Sequence, residues 1–507
     1  MTSRFTKNLK KFALGWILLV TFTLSFTSAS DITSFAPNSV STFSGLPTDG
    51  LGKSVSIAGD IDGDGINDLI IGDNKQGSGA GAVYVIYGTK DLGTSNFDFS
   101  SSLDPSIGFM ISGVDAYGQL GWAVSSGDVD SDGVDDIIIG ASYADSLVGK
   151  VYVIYGCSRV ARTSIDLNNL TPSSDGFSLS GVASGGQLGY SVSSGDINSD
   201  GYDDIIVGAF GENNQRGAAY IVYGGLRASF TSMLTTSLNS ASTGFKITGA
   251  MAGTLCGFAV STGDLDGDGY ADIVVGARGS SSRKGVVYVI YGGVKSSLPD
   301  LDLSTTPDLS YSSSPPGFTI TGEIANDYFG NALSVGDVDN DELEDILIGA
   351  AQASSNTGSV YVIYGSQPRP SSIDISTGLA SSRGFKITGA AAGDYFGWSV
   401  SNVGHVNNDG YVDIVIGAKA ANSNLGGVYV IYGGDRAALP TVSSVSATLD
   451  PQTQGFSLSG TYAGSFFGVS VNNAGDVNDD GYDDILIGAY GESKAYLLIY
   501  SKRNYNE

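Results

Sequence analysis

The sequence predicts an all-β fold: a seven-bladed β-propeller of four-stranded antiparallel blades, its ring closed by an N-terminal strand. Three observations predict it. A short acidic loop recurs seven times, starting at Asp60, Asp128, Asp196, Asp264, Asp337, His405 and Asp476, at intervals of 68, 68, 68, 73, 68 and 71 residues. Four strand-like segments accompany every loop. Glycine, 73 of 507 residues, is about twice as frequent as in an ordinary domain. A fixed period overrides the reading of about three domains that length alone suggests.

The elements follow in chain order. Residues 1–30 read as a secretory signal peptide. Arg4, Lys7, Lys10 and Lys11 precede an apolar run from Phe12 to Phe26, and Thr27-Ser28-Ala29-Ser30 offers small residues for cleavage. Residues 31–507 form the propeller, with repeats starting near 51, 120, 188, 256, 329, 396 and 467. A lone strand-like piece, Val40 to Gly45, comes first. The second repeat shows the common plan. Leu120 to Val124 is a first strand running into the acidic loop. Asp136 to Gly140 is an unbroken β-branched run, as a strand buried on both faces requires. Val151 to Gly156 is a third strand closed by glycine. Phe177 to Gly181 alternates apolar and polar, as a half-exposed strand does. The last repeat stops on a third strand, Tyr496 to Tyr500. The spare segment at Val40 can therefore complete the last blade and remove the exposed edges that an open solenoid would keep. No second apolar stretch follows the leader, so no membrane span is expected after signal cleavage. The chain is expected to be secreted, extracellular or held at the cell surface.

The formal charge of −27 excludes a nucleic-acid role driven by phosphate neutralisation. Thirty of the 52 acidic residues sit in the seven loops, and the remainder nearly balances the bases. Acidity this concentrated points to bound cations. The two cysteines, Cys157 and Cys256, occupy non-equivalent places in different repeats and are read as idle thiols.

The loops have the chemistry of Ca²⁺ sites. Ca²⁺ takes about 6–8 oxygen ligands, and acids at alternating positions of a tight turn can converge on one point. The fourth repeat is the plainest, with Asp264, Asp266, Asp268 and Asp272 at positions 1, 3, 5 and 9 and glycine at position 6. The first has Asp60, Asp62, Asp64 and Asp68, and the second Asp128, Asp130, Asp132 and Asp136. The third (Asp196, Asn198, Asp200, Asp204) and seventh (Asp476, Asn478, Asp480, Asp484) carry Asn at position 3, which keeps a usable oxygen. Those five sets are complete. The fifth keeps Asp337, Asp339, Asp341 and Asp345 but has Glu342 where glycine should turn. The sixth has only Asn407, Asp409 and Asp413 behind His405, and reads as degenerate. Several Ca²⁺ ions per chain are expected, since clustered carboxylates without a cation repel.

The combination of Phe396-Gly397, Asn407-x-Asp409-Gly410-x-x-Asp413 and Gly417-Ala418 resembles the FG-GAP repeat of integrin alpha-subunit propellers. Leu188-Gly189 with Gly208-Ala209, Cys256-Gly257 with Gly276-Ala277, and Phe467-Gly468 with Gly488-Ala489 carry the same resemblance. It implies Ca²⁺ in the acidic loops on one face, ligands docking on the other, and a role in cell adhesion. The proline that usually ends the GAP element is missing from every repeat. Similar propellers also occur as appendages of glycosylphosphatidylinositol-specific phospholipase D and as sugar-binding lectins. The partner is thus expected to be an extracellular protein or glycan. With one histidine and two unrelated cysteines, no nucleophilic triad or catalytic zinc centre can be assembled, and no enzyme activity is expected. A Ca²⁺-dependent polysaccharide lyase or hydrolase needs only acids and stays open, although no acidic pair breaks the symmetry of the repeat.

Overall fold

The computed structural model describes residues 30–31 and 40–500, apart from 91, 93–94, 102, 160–164, 306–308, 310–315, 441 and 446–448. The expected leader, residues 1–30, lies outside the described residues except for Ser30, and so does the polar tail at 501–507. Seven antiparallel sheets follow one another in chain order, each a four-strand meander. The second blade is typical, with strands Ala123–Gly127, Asp136–Ala141, Lys150–Ile154 and Gly176–Ser180. First strands pack against first strands of both neighbouring blades all the way round, so they lie nearest the axis.

Ring closure follows the expected route. Val40–Ser44 pairs antiparallel with Lys494–Leu498, placing Thr42 opposite Tyr496, and becomes the fourth strand of the seventh blade. Phe43 is fully buried there and stacks on Phe97 with ring centroids 5.0 Å apart. Truncation of a buried aromatic removes transfer energy and leaves a cavity. Phe43→Ala is therefore expected to cost about 3 kcal/mol, measured by urea unfolding, and an unchanged midpoint would show that this strand does not lock the ring.

Five blades gain a short parallel edge strand that the sequence pattern did not reveal. Met233–Leu234, Leu301–Asp302, Ile373–Asp374, Asn96–Asp98 and Ser30–Asp31 each line the fourth strand of one blade. Each comes from the linker leading to the fourth strand of the next blade. These segments cover edges that would otherwise template pairing with another chain.

The core lies between blades rather than within them. Seven apolar clusters each join neighbours; one packs Ile138 and Val153 of the second blade against Ile205 and Val222 of the third. The second strands are consequently buried on both faces, which explains runs such as Ile137-Ile138-Ile139. The glycines of the Phe-Gly and Gly-Ala pairs form two sides of one contact. Gly189, at φ +83°, sets its carbonyl oxygen against the Cα of Gly140 in the preceding blade, in the space a Cβ would fill. Equivalent contacts run round the ring and end with Gly52 against Gly488. Cys157 and Cys256 are free thiols.

Candidate metal centres in the acidic loops

Each loop links an innermost strand to the buried second strand, and position 9 stands at that entry. Asp68, Asp136, Asp204, Asp272, Asp345, Asp413 and Asp484 are fully buried. One oxygen of each accepts an N–H two residues beyond the third strand, at 2.7–3.0 Å, from Gly88, Gly156, Gly224, Gly292, Gly365, Gly433 and Tyr500 respectively. In six loops the other oxygen accepts the N–H of position 2, as Asp136 does from Val129 at 3.1 Å. Position 9 thus braces the loop against its own blade. Burial pushes the carboxyls of Asp68, Asp136, Asp272, Asp345 and Asp413 up to about 8 and that of Asp204 to about 7, against the pull of these backbone donors. Asp484 is raised for the same reason. An adjacent cation would relieve that cost.

Position 1 shapes the turn. Asp60 accepts N–H groups from Gly63, Asp64 and Gly65 at 2.7, 3.0 and 2.7 Å, and Asp128, Asp196, Asp264, Asp337 and Asp476 accept from positions 5 and 6 in the same way. In four loops the oxygens of positions 1, 3 and 9 converge within 4.8 Å of one another: Asp60, Asp62 and Asp68; Asp128, Asp130 and Asp136; Asp264, Asp266 and Asp272; Asp337, Asp339 and Asp345. The fifth loop is among them. Glu342 adopts the left-handed conformation (φ +69°) that glycine takes elsewhere, so the turn is made in spite of its side chain. The third and seventh loops are arranged differently. Asn198 turns its amide nitrogen to Asp204 at 2.7 Å, and Asn478 accepts the N–H of Asp480 at 3.1 Å. In the sixth, His405 is exposed and its Nδ1 lies 2.9 Å from the carbonyl oxygen of Tyr411, while Asn407 donates to Asp409 at 2.8 Å and its backbone N–H to Asp413 at 3.3 Å.

The donor sets fit a hard cation. Asp130, Asp266 and Asp339 are buried, and the Oδ1 of each has no hydrogen-bond partner. A buried carboxylate oxygen left unpartnered beside two more carboxylates is a costly arrangement that a divalent cation stabilises.

The other oxygen of position 3 meets a group that the sequence reading missed. Arg227, from the linker of the third blade, pairs with Oδ2 of Asp130 and with Asp132 at position 5, and lies over the ring of Tyr155 with its guanidinium carbon 4.6 Å from the centroid. Arg159 grips Asp62 and, at 2.7 Å, Asp64. Arg369 grips Asp266 and Asp268, and Arg436 grips Asp339 and Asp341. In two of the three loops with Asn at position 3 a lysine stands in: Lys295 reaches Asp200 of the third loop at 2.7 Å, and Lys90 pairs with Asp479, at position 4 of the seventh. The position-5 acids of the first five loops, expected beside the cation, therefore face a basic residue of the next blade. Position 8 adds a second tie between blades, as Asp135 accepts the N–H of Asp60 at 3.0 Å and Asp203 that of Asp128 at 3.1 Å. The signal for the latch was a basic residue recurring two to four places after the Gly or Gly-Gly that closes the third strand in six of the seven repeats.

Comparison with known proteins agrees with this geometry. The model of the FG-GAP repeat matches seven times, at residues 51–86, 120–154, 188–222, 257–290, 329–363, 396–431 and 467–504. Integrin alpha-4 of Xenopus laevis is 28% identical over 316 residues, which cover 61% of this chain and 26% of that protein. Integrin alpha-8 of Mus musculus is 30% identical over 259 residues, covering 49% and 20%. Phosphatidylinositol-glycan-specific phospholipase D of Bos taurus is 31% identical over 188 residues, covering 35% and 21%. The chain spans about a fifth to a quarter of the length of these curated relatives. With seven matched repeats folded into seven blades, the chain belongs to the FG-GAP repeat proteins and forms an integrin-alpha-like β-propeller.

Proposed function

We propose that this propeller is an extracellular adhesion or interaction module that binds a protein ligand and is braced by Ca²⁺ in its acidic loops. The observation that carries the metal reading is the convergence of three aspartates in four loops, with unpartnered buried oxygens at Asp130, Asp266 and Asp339. Four such sites supply oxygen donors only, which suits Ca²⁺ better than a transition metal. The adhesion reading rests on the likeness to integrin alpha subunits. Among the described residues no helix is long and apolar enough to cross a membrane.

Two measurements test the proposal. Equilibrium dialysis with ⁴⁵Ca²⁺ is expected to find about four bound ions per chain, reduced by one in Asp130→Asn; no saturable binding would overturn the metal reading. Immobilised protein is expected to retain cells or matrix proteins in Ca²⁺ and to release them in chelator. Indifference to every protein surface presented, with the Ca²⁺ sites filled, would overturn the adhesion reading alone.

A further inference from the structure

The residue after the glycine of each Phe-Gly pair sits at the entry to an innermost strand, at the end opposite the acidic loop. At these positions stand Lys53, Trp122, Tyr190, Phe258, Asn331 and Trp398 in the first six blades. Consecutive members of this set touch from the first blade to the fourth and again between the fifth and sixth. Trp122 meets Tyr190 with centroids 5.3 Å apart, and Tyr190 meets Phe258 at 4.8 Å. Asn331 donates to the carbonyl of Trp398 at 3.2 Å. Three cations lie against this wall. The Nζ of Lys53 is 4.0 Å from the Trp122 centroid, the guanidinium carbon of Arg278 is 3.4 Å from that of Phe258, and the Nζ of Lys419 is 2.8 Å from that of Trp398.

None of the three pairs with a carboxylate among the described residues. Arg278 spends one N–H on Asn331 Oδ1 at 2.7 Å, while its buried Nε–H has no partner. The three cations come from the first, fourth and sixth blades, and the charges of Lys53 and Arg278 are felt at Lys419. Burial, then the charges of Lys53 and Arg278, bring Lys419 down to about 7, and burial brings Lys53 down to about 8.

We propose that the axial mouth on this face binds one oxyanion, the carboxylate of an aspartate or glutamate side chain of a protein partner, between Lys53, Arg278 and Lys419. Its aromatic faces are already taken by cations, so it does not hold a further cation. An oxyanion gains charge-assisted hydrogen bonds from all three groups and relieves their mutual repulsion. The amide of Asn331 is engaged at both ends, which leaves sugar hydroxyls few partners and favours a compact anion on an apolar stem. Only the choice of a protein as its source rests on the adhesion reading; the anion site itself does not.

Trp122 and Trp398 are the only tryptophans beyond Trp16 in the expected leader, so intrinsic fluorescence reports on this mouth. The Ca²⁺-loaded full chain, at constant ionic strength, is titrated with N-acetylglutamate amide, with the sulfated sugar glucosamine 6-sulfate, and with guanidinium. A saturable change in emission is expected with the carboxylate and none with guanidinium. Lys53→Gln and Lys419→Gln are each expected to weaken the carboxylate at least tenfold while the melting point stays within a few degrees. A response to guanidinium alone, no saturable response to either anion, or an undiminished response in both variants would overturn the proposal. Tenfold tighter binding of the sulfated sugar would overturn the carboxylate in favour of an anionic glycan. Loss of adhesion with an intact carboxylate response would count against the adhesion reading and leave the anion site standing.

Discussion

Chelating Ca²⁺ is expected to lower the melting point of this protein by about 10 °C. A ligand that binds only the folded form at about 100 times its Kd contributes about 2.7 kcal/mol per site, or about 11 kcal/mol for four sites. Spread over an unfolding entropy of about 2.1 cal/mol/K per residue, that is about ten degrees for a chain of this length. The pH dependence should flatten when the metal binds. Without metal, the position-9 carboxyls of Asp68, Asp136, Asp272, Asp345 and Asp413 are raised to about 8 by burial, against about 3.9 in the unfolded chain. Between those values the folded state holds more protons than the unfolded one, so stability rises as pH falls from about 8. The chelated protein should therefore melt higher at pH 6 than at pH 8. The Ca²⁺-loaded protein should melt at nearly the same temperature at both pH values, because the bound cation keeps these carboxyls ionised, as they also are in the unfolded chain. Calorimetry at both pH values, with and without chelator, checks the four numbers. Parallel slopes in the two states would sink the assignment of position 9 to the metal centre.

The blades were legible because burial on both faces leaves a plain trace. Ile137-Ile138-Ile139 can only be a strand hidden between neighbours, and the fourth-strand echo at Phe43 made ring closure visible in the sequence. The loop positions 1, 3 and 9 were legible for the same reason, as seven copies fix which residues recur. What stayed hidden depends on contacts between blades. Arg227 lies 97 residues from Asp130, and although a basic residue recurs after the third strand of six blades, that recurrence does not say that it reaches the acidic loop of the preceding blade. The parallel edge strands are two or three residues long, too short for any alternation to register. The turns between second and third strands also escaped notice. Ser281 and Ser282, or Asn213 and Asn214, take consecutive left-handed conformations without glycine, and small polar residues there look like any solvated loop. The axial cations were invisible because Lys53 and Lys419 fill different motif positions in different repeats and meet only once the ring closes.

The arginine latch should matter most when the metal is gone. Arg227→Ala is expected to cost about 4 kcal/mol in chelator, the usual penalty for stripping one partner from a buried ion pair. The side chain of Asp130 is 1% exposed, so its carboxylate cannot recover the loss from water. With Ca²⁺ bound, the free Oδ1 of Asp130 would keep a cationic neighbour, and the same substitution should cost about 1 kcal/mol, closer to a half-exposed pair. The difference is the coupling between metal and latch, and a double-mutant cycle with Asp130→Asn measures it directly. Arg227→Lys keeps the charge but not the fork that spans Asp130 and Asp132, and should recover only part of the loss. Lysine occurs naturally only where position 3 is Asn, at Lys295 over the third loop and Lys90 over the seventh. At six junctions arginine accompanies aspartate at position 3 and lysine accompanies asparagine, as local charge balance favours: a dianionic pair at positions 3 and 5 takes a bidentate partner, and a loop with Asn at position 3 takes a point charge. Equal costs of Arg227→Ala with and without Ca²⁺ would show that the latch and the metal do not share Asp130, and would leave the arginine as a brace between blades alone.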